Sequence, residues 1–252
     1  MTGVTECRLM AHLVAGYPDM DTSRRCALAL AAGGADYLEV QFPFSDPPAD
    51  GPVIERACHA SLAAGFRVED GFRMVEELRD ELEIPVFIMT YGSPVLARGV
   101  ERFVRRAVEA GARGLIVPDI PPDSPEGLLE AGKAAGLAVV PVIAPGISDE
   151  RLEMIRRLAP EYVYTALRLG VTGGGTELDA GTTAYLGAVA GLGAKVIAGF
   201  GVRSREQMLA LSGWAHAAAV GSFFVERLRG ALDGGNDVES ALSAAARELT
   251  GR

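Results

Sequence analysis

One arrangement of residues recurs along this chain and restricts its possible folds more than any other feature. A helix-forming stretch ending in Ala or Gly is followed by a short run of Val, Ile and Leu, at 31–40, 109–119, 134–143, 190–200 and, less cleanly, 212–222. Glycine after a helix supplies a left-handed cap, and consecutive apolar residues are typical of parallel strands buried on both faces. Three further strands are predicted to begin near Met10, Pro85 and Tyr162.

Eight strand–helix units in 252 residues predict an α/β fold, a closed (β/α)8 barrel of the TIM type. An open, doubly wound sheet is the alternative that the pattern leaves open. No Pro/Ser-rich linker or charge run divides the chain, so we expect residues 1–252 to form a single barrel domain. In such a barrel the chemistry lies in the loops after the strands, and those loops are the places to search for functional residues.

Composition excludes several classes of function. The net charge of −9 argues against a general nucleic-acid or anionic-membrane surface. No apolar run approaches the roughly 20 residues that span a bilayer, and the amino terminus lacks a secretory pattern. The three cysteines have no C-x-x-C spacing and the three histidines no metal-ligand spacing, so we expect no metal site and a reducing, cytoplasmic location.

The second predicted strand carries the first candidate site. Side chains alternate along a strand, so Glu39 should point into the barrel, opposite Leu38 and Val40, where lost hydration would suit proton transfer near neutral pH. A structural ion pair with Arg or Lys is the alternative. Asp46 and Asp50 follow between prolines, which would hold a second carboxylate in place, although Asp before Pro or Gly is also ordinary turn chemistry.

Glycines follow the last two predicted strands. Gly199 and Gly201 come after one, and Gly221 and Ser222 come after the other, before a short helix. Exposed N–H groups beside a helix N-terminus form the usual phosphate site of barrels, so these two junctions predict phosphate binding, with plain turns as the alternative. The sixth strand, which contains Tyr164, leads into a loop with three consecutive glycines, which suits either a lid over substrate or a flexible surface loop.

The segment from Glu39 through Phe-Pro-Phe-Ser-Asp-Pro-x-Ala-Asp-Gly-Pro, which ends at Pro52, resembles the signature of the tryptophan synthase alpha subunit family. Further motifs follow in family order over nearly the whole chain: Ala15-Gly-Tyr-Pro18, Tyr91, Val117-Pro-Asp-Ile-Pro121, Gly170-Val-Thr-Gly173, Gly199-Phe-Gly201 and Gly221-Ser222. The resemblance implies a (β/α)8 lyase of tryptophan biosynthesis that splits indole-3-glycerol phosphate into indole and glyceraldehyde 3-phosphate. It also implies a beta-subunit partner in an alpha2beta2 assembly and an alpha chain without a cofactor.

The resemblance assigns roles to individual residues. Glu39 matches the general acid/base, and Asp50 matches the carboxylate that holds the indole N–H. The residues that match substrate contacts are Tyr91, Tyr164, Thr172 and Gly173, of which the last two belong to the lid. The residues that match the phosphate cradle are Gly199, Gly201, Gly221 and Ser222.

This sequence departs from the family pattern at several positions. Gln41 stands where Gly is common, and Cys58 stands where the family has Asn. Ser93-Pro94 replaces the usual residues after Tyr91, and Leu169 replaces a small polar residue. Two other functions therefore remain open. One is a stand-alone lyase that acts without a beta subunit, on this substrate or on a modified indole. The other is a non-catalytic phosphate-binding barrel.

Overall fold

The computed structural model describes residues 6–166, 180–199 and 201–252. Parallel strands of the described residues form one sheet, with helices between them. The strands are β1 (Arg8–Val14), β2 (Tyr37–Gln41), β3 (Val86–Met89), β4 (Gly114–Ile116), β5 (Ala138–Val140), β6 (Val142–Ile143), β7 (Tyr162–Ala166), β8 (Lys195–Gly199) and β9 (Ala217–Val220).

The helices lie along the chain between and after these strands. They are α1 (Met20–Ala32), α2 (Pro52–Ala63), α3 (Val68–Glu81), α4 (Gly92–Arg98), α5 (Val100–Glu109), α6 (Leu128–Ala135), α7 (Asp149–Leu158), α8 (Ala180–Ala190), α9 (Arg205–Ala210), α10 (Ser222–Asp233) and α11 (Val238–Thr250). No helix of the described ranges is both long and apolar enough to cross a membrane.

The sheet closes on itself through a strand that is split in two. The hydrogen-bonded order is β5-β4-β3-β2-β1-β9-β8-β7-β6, so β5 and β6 stand at its two ends. Only Pro141 separates them, and its carbonyl accepts a hydrogen bond from the Tyr164 N–H at 2.9 Å. Proline has no N–H to give to a ladder, which accounts for the break. The two segments make one fifth strand, and the predicted eight-stranded barrel is confirmed over the open sheet.

The predicted glycine caps are also confirmed. Each of the five repeats has a glycine of positive φ between its helix and its strand: Gly34 at 97°, Gly111 at 88°, Gly136 at 74°, Gly193 at 78° and Gly213 at 87°. A residue with a Cβ is strained in this region, whereas glycine adopts it freely. The repeat that indicated the fold is thus a series of helix ends that turn the chain into the next strand.

Two apolar layers surround the strands. Along β8, Ile197 packs with the interior cluster that fills the barrel, whereas Val196 and Ala198 pack outward against the helices. The same alternation along β2 puts Tyr37 inside and Leu38 and Val40 outside. Both faces of each strand are therefore buried, as the continuous apolar runs predict. This alternation also decides which polar side chains enter the barrel.

Candidate functional site

A cavity opens where strands β1, β2, β7 and β9 end. Its wall brings together polar side chains, glycines and apolar residues: His12, Glu39, Ala49, Asp50, Ile54, Met89, Ile116, Pro118, Val142, Tyr164, Gly201, Val202, Ala219, Gly221 and Ser222. Predicted acid/base, substrate and phosphate residues thus share one cavity. It lies at the carboxyl ends of the strands, where barrel active sites are found.

Glu39 lies inside the barrel, as the alternation predicts. It is only 3% exposed, and its Oε2 lies 3.4 Å from Nδ1 of His12, its partner in the β1–β2 register. Within the described part of the chain no Arg or Lys forms an ion pair with it, so the alternative of a structural pair with such a residue finds no support there. A carboxylate beside an imidazole, at the wall of a cavity, is suited to proton transfer.

Asp50 is held by two side chains of the barrel. Its Oδ2 accepts a hydrogen bond from Gln41 Nε2 at 2.7 Å and another from the Tyr91 hydroxyl at 2.8 Å. Burial raises the pKa of Asp50, while His12 and the two hydrogen bonds counteract part of that rise. The backbone N–H of Asp50 also donates to the Pro47 carbonyl. Asp50 therefore both closes a turn of the loop and supplies a carboxylate to the cavity.

The other acidic residue of this loop, Asp46, is exposed and accepts a hydrogen bond from Ser45, and it does not line the cavity. The departure at Gln41 has a structural consequence, because this residue donates to Asp50 and also lies 3.5 Å from the sulfur of Cys58. The site therefore contains two residues that the family pattern does not specify. Both are buried behind Asp50.

Tyr164, Gly201 and Gly221 also line the cavity. Burial, together with Glu39 and Asp50, raises the pKa of Tyr164 well above its usual range, so its phenol stays protonated. Gly199 does not line the cavity; a Cβ at this position would lie 2.3 Å from the Tyr164 hydroxyl oxygen. Gly201, at φ 109°, does line it, beside the Gly221–Ser222 start of α10.

The start of α10 gives this part of the wall its electrostatic character. Gly221 is the N-cap residue, no side chain caps it, and Ser222 begins the helix. The first N–H groups of a helix lack partners inside the helix and carry the positive end of its dipole. Anions bind readily at such a position. Thr172 and Gly173, the two predicted lid residues, lie outside the described residues.

His12 is a site residue that the sequence pattern did not single out. It lies on β1 with only 6% of its surface exposed, next to Glu39. The alternation of side chains along β1 could have identified it, since Met10, two residues earlier on the same face, belongs to the interior cluster. In the described ranges no group of three or more His, Cys, Asp or Glu side chains is arranged to hold a metal ion.

A closed barrel of parallel strands, with two carboxylates and a helix N-terminus around one cavity at the strand ends, defines the class of (β/α)8 barrel enzymes. Comparison with known proteins narrows this class. Residues 4–251 match the family described as tryptophan synthase alpha chain. The chain is 38% identical to the tryptophan synthase alpha chain of Helicobacter hepaticus over 232 residues, which are 89% of this chain and 87% of the relative.

Other relatives agree. The tryptophan synthase alpha chain of Methanosarcina barkeri is 38% identical over 245 residues, 97% of this chain and 90% of the relative. A structure of Mycobacterium tuberculosis tryptophan synthase is similar with a TM-score of 0.87 at 34% identity, covering 98% of this chain and 92% of that one. A tryptophan synthase complex from Pyrococcus furiosus is similar with a TM-score of 0.86 at 30% identity, covering 98% and 99%.

The chain belongs to the tryptophan synthase alpha chain family. The resemblance drawn from the Glu39–Pro52 segment is thereby confirmed, and so is the expected enzyme class, a lyase of tryptophan biosynthesis that cleaves indole-3-glycerol phosphate. The roles of the individual residues do not follow from membership alone.

Proposed function

We propose that Glu39 is the general acid/base that cleaves indole-3-glycerol phosphate in this chain. Its protonated carboxyl gives a proton to C3 of the indole ring, and the ring becomes an electron sink. The resulting carboxylate then takes the proton of the glycerol hydroxyl next to the ring, the carbon–carbon bond breaks, and its electrons return to the ring. The products are indole and glyceraldehyde 3-phosphate, and Glu39 ends as it began.

Asp50 complements Glu39 in this proposal. Protonation at C3 places positive charge on the indole nitrogen, and a carboxylate that accepts the N–H hydrogen bond stabilises that charge. Tyr164 contacts the substrate from β7, while Tyr91 acts through its hydrogen bond to Asp50. The observation that carries the proposal is that Glu39 and Asp50 line the same cavity, Glu39 from strand β2 and Asp50 from the loop that follows it.

The phosphate of the substrate binds at the glycine-lined side of the cavity. Gly201, Gly221 and Ser222 line it, and the start of α10 supplies backbone N–H groups and a favourable dipole. Gly199 contributes by leaving room for Tyr164. The predicted contacts of Thr172 and Gly173 with the glycerol phosphate remain part of the proposal.

The partner of this chain is a tryptophan synthase beta subunit in an alpha2beta2 assembly, and the chain works in the cytoplasm. Similarity to the Pyrococcus furiosus tryptophan synthase complex supports the partner. A reducing compartment is consistent with the three cysteines, all of which are buried and unpaired, because disulfides form mainly in oxidising compartments. We also propose that residues 1–252 form a single barrel domain.

Indole release from indole-3-glycerol phosphate, with and without a beta subunit, tests the proposal. Glu39→Gln removes the titratable proton and should lower kcat by about 10²–10⁴-fold, because one proton shuttle contributes this much. Glu161→Gln is the matched control, since Glu161 forms its ion pairs with Arg113 and Lys195 at the opposite ends of the strands. More than a tenth of the wild-type rate in Glu39→Gln would contradict the assignment. A rate that the beta subunit does not change would instead favour the stand-alone lyase.

A further inference from the structure

The imidazole of His12 is enclosed beside the acid/base. Its Nδ1 lies 3.4 Å from Glu39 Oε2, and its Nε2 is buried without a hydrogen-bond partner among the described residues. On the other side, its Cδ2 lies 3.2 Å from the point where a Cβ on Gly221 would be. The ring is therefore fixed between β2 and β9, and the described side chains offer it one close ionisable partner.

We propose that His12 is a positioning residue for the cleavage reaction, which holds the Glu39 carboxylate in place and shares one proton with it through the Nδ1–Oε2 contact. This inference rests on the proposed role of Glu39 and adds the source of its proton. The proton moves from Nδ1 to Oε2 to make Glu39 the acid that protonates the indole ring. After Glu39 has taken the glycerol hydroxyl proton, that proton returns to Nδ1, so no proton is gained or lost.

The charges around the ring support a shared proton. Burial alone lowers the pKa of His12, but Glu39, Asp50 and the Gln41 side chain outweigh it, so the pKa of His12 is raised above its ordinary value. The Gly221–Ser222 side of the ring brings no ionisable group. The remaining titratable side chains that border the cavities touched by His12, among the described residues, are Tyr164, Tyr17 and Cys26. Thiols and phenols stay neutral near pH 7, so the carboxylates decide the state of the imidazole.

The shared proton has a kinetic consequence. The enzyme keeps its acid as long as the imidazole, whose pKa is raised, holds the shared proton. Substitution of His12 removes this proton donor, and with it the pH range over which the donor is protonated. The alkaline limb of the kcat profile therefore depends on His12.

Two substitutions of His12 separate its two roles. His12→Asn keeps an N–H that can donate to Glu39 but carries no exchangeable charge, whereas His12→Phe removes both. We expect His12→Asn to lower kcat by about 10–100-fold, as loss of a supporting partner does, with KM almost unchanged and the alkaline limb at lower pH. His12→Phe should lower kcat further than His12→Asn does. His216→Asn is the matched control, since His216 is hydrogen-bonded to Tyr37 and lies outside the cavity.

A measurement without substrate tests the pair directly. Nuclear magnetic resonance of the histidine-labelled full chain follows its three imidazoles, and His12→Asn assigns the resonance of His12. We expect this imidazole to titrate above 6.5, its ordinary value, and to titrate at lower pH in Glu39→Gln, because the charge of the carboxylate is then absent. The same titration in both proteins would overturn the inference.

The two experiments also distinguish failure of the inference from failure of the proposed function. If the wild type releases no indole, the proposed function fails, and the titration still decides whether the pair exists. If the wild type is active and His12→Asn keeps its kcat and its pH profile, the inference fails alone. A uniform loss at every pH, with the alkaline limb unmoved, would show a packing role and refute the shared proton.

Discussion

The hydroxyl of Tyr91 offers a sharp test of how this site is held together. Asp50 Oδ2 accepts two hydrogen bonds, one from Gln41 at 2.7 Å and one from Tyr91 at 2.8 Å. The Tyr91 side chain is fully buried, so Tyr91→Phe fills the same space and removes the hydroxyl alone. That hydroxyl also accepts a longer hydrogen bond, 3.3 Å, from the N–H of Ala49.

The expected magnitude follows from the charge and exposure of Asp50. A hydrogen bond to a charged group contributes about 1.5–3 kcal/mol to stability. Asp50 keeps part of its surface exposed, so water replaces part of the lost bond and the lower end applies. We expect Tyr91→Phe to lower the free energy of unfolding by about 1–2 kcal/mol. If the carboxylate must be held in place in the transition state, a similar loss lowers kcat/KM by about tenfold.

The effect should also depend on pH. Burial raises the pKa of Asp50, and the Tyr91 hydrogen bond is among the interactions that lower it again. Removing this bond raises the pKa further, so the carboxylate is protonated at a higher pH than in the wild type. In the proposed role of Asp50 the ionised form accepts the indole N–H, so we expect the acid limb of kcat/KM to move to higher pH. The loss of activity therefore grows as the pH falls.

The assay is indole release across the pH range, combined with denaturant unfolding of the same variants. Tyr37→Phe is the matched control, because Tyr37 is also buried and its hydroxyl is hydrogen-bonded to His216 Nε2, at 2.8 Å, at the opposite end of β2. The control should lose stability and keep the wild-type pH profile. If Tyr91→Phe behaves like the control in both measurements, the hydrogen bond to Asp50 has only a structural role and the argument is wrong.

Substitutions at Gly199, Gly230 and Ser222 provide three further tests. Gly199→Ala places a Cβ 2.3 Å from the Tyr164 hydroxyl oxygen, so it should lower both cleavage activity and the free energy of unfolding, the latter by about 1–3 kcal/mol in a denaturant titration. Gly230→Ala, inside α10 with nothing within 4 Å of the added Cβ, should instead stabilise by about 0.4–1 kcal/mol, and an unchanged or lower stability would contradict this. Ser222→Ala should weaken glycerol 3-phosphate binding by about 1 kcal/mol in calorimetry, since backbone N–H groups remain, whereas Ser222→Asp should abolish it by charge repulsion. Equal binding by both Ser222 variants would place the phosphate elsewhere.

The sequence predicts well which face of a strand each residue occupies, because successive side chains of a strand point to opposite faces. The position of Glu39 inside the barrel follows from its two apolar neighbours, Leu38 and Val40, on the other face of the same strand, and the helix caps follow from glycine alone. These are local properties, set within a few residues of chain. The fold and the inward position of Glu39 were therefore predictable from the sequence.

Contacts between strands were not predictable in the same way. His12 meets Glu39 because β1 and β2 pair in one register, and a shift by one residue would turn the imidazole to the other face. Similarly, Gly199 contacts Tyr164 and does not line the cavity, because the pairing of β7 with β8 places these two residues near each other. The sequence shows which residue types are present at the strand ends, but the register decides which of them touch.

The two carboxylates of the site are held by different means. Glu39 lies within β2, whose backbone is fixed by hydrogen bonds to β1 and β3, so the position of its backbone follows from the barrel itself. Asp50 lies in a loop after β2, and loops lack such ladders, so its position depends on two side-chain hydrogen bonds. Both donors, Gln41 and Tyr91, come from the ends of barrel strands or from the residues just after them. These two donors thus fix the carboxylate of the loop, and for this reason substitution of the buried Tyr91 hydroxyl should alter the pH dependence of the enzyme.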